Sequence, residues 1–287
     1  MEVNQSTVPS TTDEKTHHIP ETKYVLHRRF DRMGRLIGDE KMEKLMGSHV
    51  MIIGLGGVGS WAAESIARSG VGKITLVDFD DICITNANRQ LHALTGLVGK
   101  KKAHIMAERL QKINPQAKVI GMDLFYHAET SEQIFADKPD YVIDAIDNIT
   151  AKCHLIATAK AKGIKVIMSG GSGSKIDPTK IKVSDLSKTN VDPLCSTIRK
   201  LLRQNFQFPR DKSFGVPCVW SDETPRDPVA LHYDKGEGFK CVCPQNDFNL
   251  HSCDSRNVIH GTASFVTGAF GLNLAGWVVR DIVQENN

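Results

Sequence analysis

Residues 49–70 read HVMIIGLGGVGSWAAESIARSG. The opening HVMIIGLG is a short apolar, β-branched run, the pattern of a buried strand. WAAESIARSG then reads as a helix that stops at Gly70. Between them lies the loop Gly54-Leu55-Gly56-Gly57-Val58-Gly59. In such a loop Gly54 allows the tight turn, Gly56 lets a phosphate approach the backbone, and Gly59 lets helix and strand pack closely. The unsatisfied N–H groups at the helix start favour an anion. This motif alone leaves NAD and ATP both open. Asp78, 24 residues after Gly54 at the end of the next strand, suits ribose hydroxyls of either nucleotide.

Outward from this loop the chain alternates strand and helix. KITLVDFD, KVIGMDLF, YVIDAID and KVIMSGG read as further strands, and residues 100–113, 129–137 and 149–162 as helices. Short connections of this kind predict an α/β fold. Its Rossmann-like, doubly wound, mostly parallel sheet carries ligand at the carboxyl ends of its strands. Residues 1–23 read as a polar tail. Residues 24–185 form the expected nucleotide-binding domain, entered through an N-terminal helical arm over 24–47 that carries Arg28, Arg29, Arg32 and Arg35. Residues 186–287 form a C-terminal extension facing the substrate. Within it, 194–204 reads as an amphipathic helix, 207–256 as irregular chain suited to a lid, and 259–283 as a helix packed back on the sheet.

The 287 residues carry a formal charge of +3, with 40% hydrophobic and 24% charged residues, which argues against a mainly disordered chain. The seven cysteines follow no disulfide framework, and the polar N-terminus lacks the apolar segment of a secretory signal. A reducing, cytoplasmic setting is expected. Residues 257–279 contain no Asp, Glu, Lys or Arg, so a membrane or organelle association through that segment is the alternative to a buried helix. Cys241, Cys243 and Cys253 with His251 lack a standard zinc spacing. Charge is uneven: residues 152–212 hold 13 Lys or Arg against 4 Asp or Glu. An anionic partner, nucleic acid first, follows from that asymmetry; a solvated helix face is the plainer explanation.

The segment after the second strand separates the nucleotides. Asn86-Ala87-Asn88-Arg89-Gln90 packs three amides and a guanidinium into five residues, and Lys102 follows on the next helix. A dinucleotide pyrophosphate is served by the glycine loop, whereas the about four charges of ATP call for cations at the β- and γ-phosphates. Arg supplies a planar fork and Lys a point charge. The fourth strand ends Asp144-Ala145-Ile146-Asp147-Asn148. Asp147 at the mouth suits magnesium held against phosphate oxygens, while Asp144, further inside, reads as structural.

GLGGVG, VDFDDI, NANRQ, the helix carrying Lys102, and DAIDN stand in the order seen in the ubiquitin-activating-like (ThiF/MoeB-type) adenylyltransferases, which this chain resembles. The resemblance implies that ATP activates a carboxylate. It makes Asp78 a ribose ligand, Asn86, Arg89 and Lys102 phosphate and adenylate contacts, and Asp147 the Mg2+ ligand. Gly54, Gly56, Gly57, Gly59, Asp80, Gln90 and Asn148 complete the expected nucleotide contacts, with Arg89, Lys102 and Asp147 the expected catalytic set. Arg32 or Arg35 matches an arginine that reaches a neighbouring subunit's nucleotide, so a homodimer is implied.

GGVGSWAAESIARSG, DICITNANRQLHAL, SGGSGSKIDPTKIKVSDLSKT and DPL resemble the tRNA threonylcarbamoyladenosine dehydratase family more closely still. In that family ATP activates the free carboxylate of threonylcarbamoyladenosine beside the tRNA anticodon. A nitrogen of the same modification then closes a ring, favoured by its high effective concentration. Arg199, Lys200 and Arg203 share one face of the predicted helix and become candidate tRNA contacts. The competing function is activation of a ubiquitin-like or sulfur-carrier protein, with Cys195 as the thiol to test; a lone Cys is more often a buried hydrophobe. An NAD enzyme or a turnover-free nucleotide scaffold is hard to square with NANRQ, Lys102 and Asp147 together.

Overall fold

A computed structural model describes residues 28–232 and 260–284. Seven strands form one sheet: β1 His49–Ile53, β2 Lys73–Val77, β3 Lys118–Met122, β4 Tyr141–Asp144, β5 Lys165–Ser169, β6 Ile181–Asp185 and β7 Pro217–Ser221. Their spatial order is β3-β2-β1-β4-β5-β7-β6. All neighbours pair in parallel except β6 with β7. The order reverses between β1 and β4, and in such sheets the crevice at that reversal takes the ligand. This is the doubly wound α/β architecture anticipated from the strand–helix alternation.

The strands are short, five residues or fewer, and β1 is buried along its whole length. Burial on both faces explains why they read as continuous apolar runs. One face is covered by α3 Gly59–Arg68, α4 Lys102–Ile113 and α8 Ser264–Ile282, around Ile52, Ile66, Phe270 and Leu274. The other is covered by α6 Ile149–Ala161 and α7 Pro193–Asn205, with α5 Ala128–Ile134 beside them, around Met51, Leu155, Ile198 and Trp220. The N-terminal arm is two short helices, α1 Asp31–Ile37 and α2 Asp39–Gly47, joined at Gly38 with φ +83°. The α2 side chains Met42 and Leu45 are fully enclosed.

The expectation of irregular chain over 207–256 is corrected by β7. PCVWS enters the sheet between β5 and β6. A five-residue run opening with proline, after a Phe-rich stretch, carries no periodic signal of its own. Its place comes from Asp185, whose carboxylate accepts hydrogen bonds from the N–H groups of Phe214 and Val216, both at 3.0 Å. The remainder of 207–256, from residue 233 on, lies outside the described residues, as do the tail 1–23 and Cys241, Cys243, His251 and Cys253.

Among the described residues no helix is long and apolar enough to cross a membrane. Of the uncharged segment behind the membrane alternative, the residues from Ser264 on belong to α8, and α8 lies directly on α3. A Cβ at Gly268 would contact the Trp61 ring at 3.3 Å, and one at Gly271 would collide with the Val58 carbonyl. Small residues at this crossing let the two helices approach closely, which uses the apolar surface inside the protein.

Candidate active site

The glycine loop joins β1 to α3 at the reversal point. Gly54 has φ +89°, a conformation that L side chains rarely adopt, and a Cβ there would stand 2.7 Å from the Ala145 carbonyl oxygen. A Cβ on Gly59 would overlap the Gly54 carbonyl oxygen. Gly57 leaves room for the Arg89 stem, whose Cγ would be 3.0 Å from an added Cβ. The loop is therefore packed tightly from both sides while keeping its amides at the crevice.

Asp78, buried one residue beyond β2, accepts hydrogen bonds from the N–H groups of Leu55 at 2.6 Å and Asp80 at 2.9 Å. It thereby ties the end of β2 to the glycine loop. Burial pushes its carboxyl above the usual range, opposed by the nearby Lys102 cation. Lys102, the first residue of α4, is 5% exposed and donates to Asp80 Oδ2 at 2.6 Å. Burial alone would lower the Lys102 pKa; Asp78, Asp80 and Asp147 outweigh it and hold the ammonium charged. Three of the sequence-predicted residues, Asp78, Asp80 and Asp147, are thus gathered around a fourth, the Lys102 cation.

The NANRQ segment packs against the glycine loop and α3. Asn86 is buried, and its Oδ1 accepts the Cys83 N–H at 3.0 Å, fixing the local turn. Trp61 on α3 donates to the Arg89 carbonyl at 3.1 Å. Arg89 Nη1 donates to the Thr85 carbonyl at 3.0 Å and Asn88 Oδ1 at 2.9 Å, contacts that orient the guanidinium. Asn88 in turn donates to the Thr262 carbonyl at 3.0 Å, linking the segment to the start of α8. Gln90 is buried beside Gly56, with its Oε1 enclosed and without a hydrogen-bond partner. His92, also buried, has both ring nitrogens unpartnered; burial together with Lys102 and Arg109 lowers its pKa to about 3.

Asp147 is exposed at the carboxyl end of β4, facing the Lys102 cluster. Asn148 Oδ1 accepts the Ala151 N–H at 2.9 Å and so caps α6. Arg32 lies exposed on α1, and Arg35 pairs with Asp31 on its own helix at 2.9 Å. No hydrogen bond or ion pair among the described residues joins Arg32 to the crevice.

Arg199, Lys200 and Arg203 do come together, lining a cleft of about 290 Å³ with Ser196, Gln204 and Arg210. Arg199 is anchored on the Thr189 carbonyl at 2.8 Å. Arg203 lies 5.2 Å from the Phe214 ring centroid, a cation–π contact. Arg210 escapes a reading of the sequence because it sits in non-periodic chain, with no helix face to group it with the others.

Cys195 is fully buried, with its Sγ 3.6 Å from Cys218 Sγ. A thiol so enclosed is not presented for thioester chemistry. Among the described residues no group of three His, Cys, Asp or Glu side chains is disposed to hold a metal ion.

The ThiF family model matches residues 30–287. A tRNA threonylcarbamoyladenosine dehydratase of Haemophilus influenzae is 44% identical over 264 residues, covering 91% of this chain and 95% of that protein. The Escherichia coli enzyme of the same name is 40% identical over 260 residues, covering 90% and 94%. A crystal structure of the E. coli tRNA N6-threonylcarbamoyladenosine dehydratase in complex with ATP matches with a TM-score of 0.76 and 36% identity, again over 90% and 94%. With the family model spanning residues 30–287 and relatives of 40% identity or more covered almost end to end, this chain belongs to the ThiF family, among the tRNA threonylcarbamoyladenosine dehydratases.

Proposed function

We propose that this chain uses ATP to activate the carboxylate of threonylcarbamoyladenosine in tRNA, next to the anticodon, and closes it to a cyclic product with net loss of water. The observation that carries the reading is a likeness to dehydratases over 94–95% of their length, coinciding with a buried cation ringed by carboxylates at the reversal point of the sheet. Activation of a sulfur-carrier or ubiquitin-like protein is not favoured, because Cys195 is sealed against Cys218.

In this reading the glycine-loop amides at Gly54, Gly56, Gly57 and Gly59 receive phosphate oxygens, and Asp78 receives the ribose. The orphaned Gln90 Oε1 beside Gly56 is the kind of buried acceptor that a bound nucleotide satisfies. Lys102 exchanges part of its carboxylate contact for a phosphate oxygen, and Arg89 supplies the planar fork. Asn86, Asp80 and Asn148 hold the surrounding turns.

The substrate carboxylate attacks the α-phosphorus; a C–O–P linkage forms and pyrophosphate leaves. Lys102 and Arg89 stabilise the charge that develops. The modification's nitrogen then bonds to the activated carbonyl, the C–O bond to AMP breaks, and the nitrogen gives up its proton. No enzyme nucleophile is needed. Asp147 is a hard oxygen ligand at the mouth, and a single protein carboxylate together with phosphate oxygens is a usual magnesium arrangement. Bound there, magnesium would neutralise phosphate charge.

Arg199, Lys200, Arg203 and Arg210 fit the tRNA backbone, being positive and gathered on one cleft, with Arg199 and Arg203 anchored by neutral groups. A homodimer accounts for the exposed apolar side chains Phe265 and Leu272 on the outer face of α8, and for an Arg32 that does not reach its own crevice. The four described cysteines are free thiols, in keeping with a reducing, cytoplasmic setting.

Incubating threonylcarbamoyladenosine-containing tRNA with the protein, ATP and magnesium, followed by nucleoside mass analysis, tests the proposal. The expected product is lighter by one water and absent without ATP. No mass change, with pyrophosphate exchange stimulated by a glycine-tailed carrier protein instead, would overturn it.

A further inference from the structure

Lys152 lies on α6, inside the protein behind the crevice, and is among the largest fully enclosed side chains. Its ammonium donates to Asp144 Oδ1 at 2.9 Å, to the Asp144 carbonyl at 3.3 Å and to the Ile146 carbonyl at 3.1 Å. Those three bonds match the three protons of a lysine ammonium. Asp144 Oδ1 also accepts the Ile146 N–H at 3.1 Å, while Asp144 Oδ2 is enclosed without a partner. Both side chains of the pair are 0% exposed.

A buried ion pair is weak evidence of stabilisation, since desolvation offsets much of the attraction and apolar replacements are often neutral. What this pair does geometrically is specific. The turn over residues 144–146 is wrapped around one cation. On one side the turn touches the glycine loop, where a Cβ on Gly54 would meet the Ala145 carbonyl at 2.7 Å and the Ile146 nitrogen at 3.1 Å. On the other side the chain leaves directly into Asp147. The helix that supplies Lys152 starts at the Asn148 cap, and the Lys152 N–H donates to the Asn148 carbonyl at 2.9 Å. Asp147 is thus suspended between a turn that Lys152 holds and a helix start in which Lys152 takes part.

We infer that Lys152 is a positioning residue: paired with Asp144, it sets the place of the Asp147 carboxylate relative to the glycine loop without itself reaching ligand. This rests on the reading of Asp147 as the magnesium ligand. It predicts that the pair is retained for metal-dependent nucleotide binding more than for folding.

The test is calorimetric ATP binding as a function of magnesium concentration, in the full chain, alongside thermal unfolding. Lys152→Met strands a buried carboxylate and risks the fold, so the main variant is Asp144→Asn with Lys152→Met, which removes both charges. The expected result is a folded protein with ATP affinity close to wild type in the absence of magnesium. Half-saturating magnesium should rise about 10- to 100-fold, the usual effect of removing a group that orients a metal ligand. Asp147→Asn should raise it similarly, and the triple variant should be no worse than Asp147→Asn alone. A wild-type magnesium requirement in the paired variant, with Asp147→Asn still impaired, overturns the role of Lys152 and leaves the Asp147 reading standing. A wild-type requirement in Asp147→Asn removes both. Failure of the paired variant to fold while Lys152→Met folds with an unchanged magnesium requirement also overturns the inference.

Discussion

In the crevice Lys102 is enclosed among Asp78, Asp80 and Asp147, whereas along α7 four cations share one cleft, with Arg199 held by a carbonyl and Arg203 by an aromatic ring. The first arrangement fixes a charge in low dielectric, where a misplaced phosphate is expensive and a well-placed one strongly held. Among the described residues no carboxylate pairs with those four cations, which suits a polyanion of any sequence and should respond to salt. In the function proposed above, chemistry and RNA backbone binding fall to differently built regions of the fold, and the two should fail in different ways.

The largest effect expected is from Lys102→Ala, which removes the enclosed cation. ATP turnover should fall by about 10²–10³-fold, the scale of losing one preorganised charge-stabilising group, read alongside thermal unfolding because the change leaves the buried Asp78 without its cation. Arg89→Ala should lower turnover in the same sense. Unchanged turnover in either variant, measured by pyrophosphate release, would take that residue out of the crevice chemistry.

Next comes the cleft. Lys200→Gln with Arg210→Gln should weaken tRNA binding at moderate salt while leaving the KM for ATP unaltered. The slope of log affinity against log salt should shrink by about one for each backbone phosphate that is no longer neutralised. A variant that loses ATP binding but keeps its salt slope would show that the two regions are not separable in this way.

Acid probes both faces of the core. His49 and His92 are buried, and burial lowers their pKa to about 4 and about 3. Each is neutral when folded but titrates near its ordinary value, about 6.5, when unfolded. The unfolded chain therefore binds more protons below that point, and stability contributed by the neutral rings is lost as pH falls from about 6.5 towards 4. Melting temperature against pH should decline over that window, and His92→Phe should flatten the curve. A wild-type curve that is level over the same range would contradict the buried, neutral state.

The smallest effect is at Cys195. Cys195→Ala should keep ATP turnover and tRNA dehydration, with a stability loss of about 1 kcal/mol from trimming a small buried group, read by chemical denaturation. Loss of dehydration in a well-folded Cys195→Ala protein would reopen the carrier-protein chemistry.

How much of the molecule is legible before the fold depends on the range over which each signal acts. The glycine loop, the strand-end carboxylate Asp78 and the strand–helix alternation are local: spacing along the chain decides them. The grouping of Arg199, Lys200 and Arg203 is legible because one helix carries all three, while Arg210 joins them only across space. The β7 strand reads as irregular because its five residues owe their place to Asp185 and to two neighbouring strands. The enclosed pair of Asp144 and Lys152 gives no sign either, since a lysine on a helix reads as surface until its neighbours are known.

By itself the amino-acid sequence determined the mostly parallel α/β architecture and the glycine loop between β1 and α3, because these are written in periodicity, β-branching and glycine placement. Only the tertiary structure decided that α8 lies on α3 through Gly268 and Gly271, that Cys195 is sealed against Cys218, and that Lys102 stands inside a ring of carboxylates. Burial and the distance between groups far apart in the chain set those outcomes, and neither is a property of any local stretch of residues.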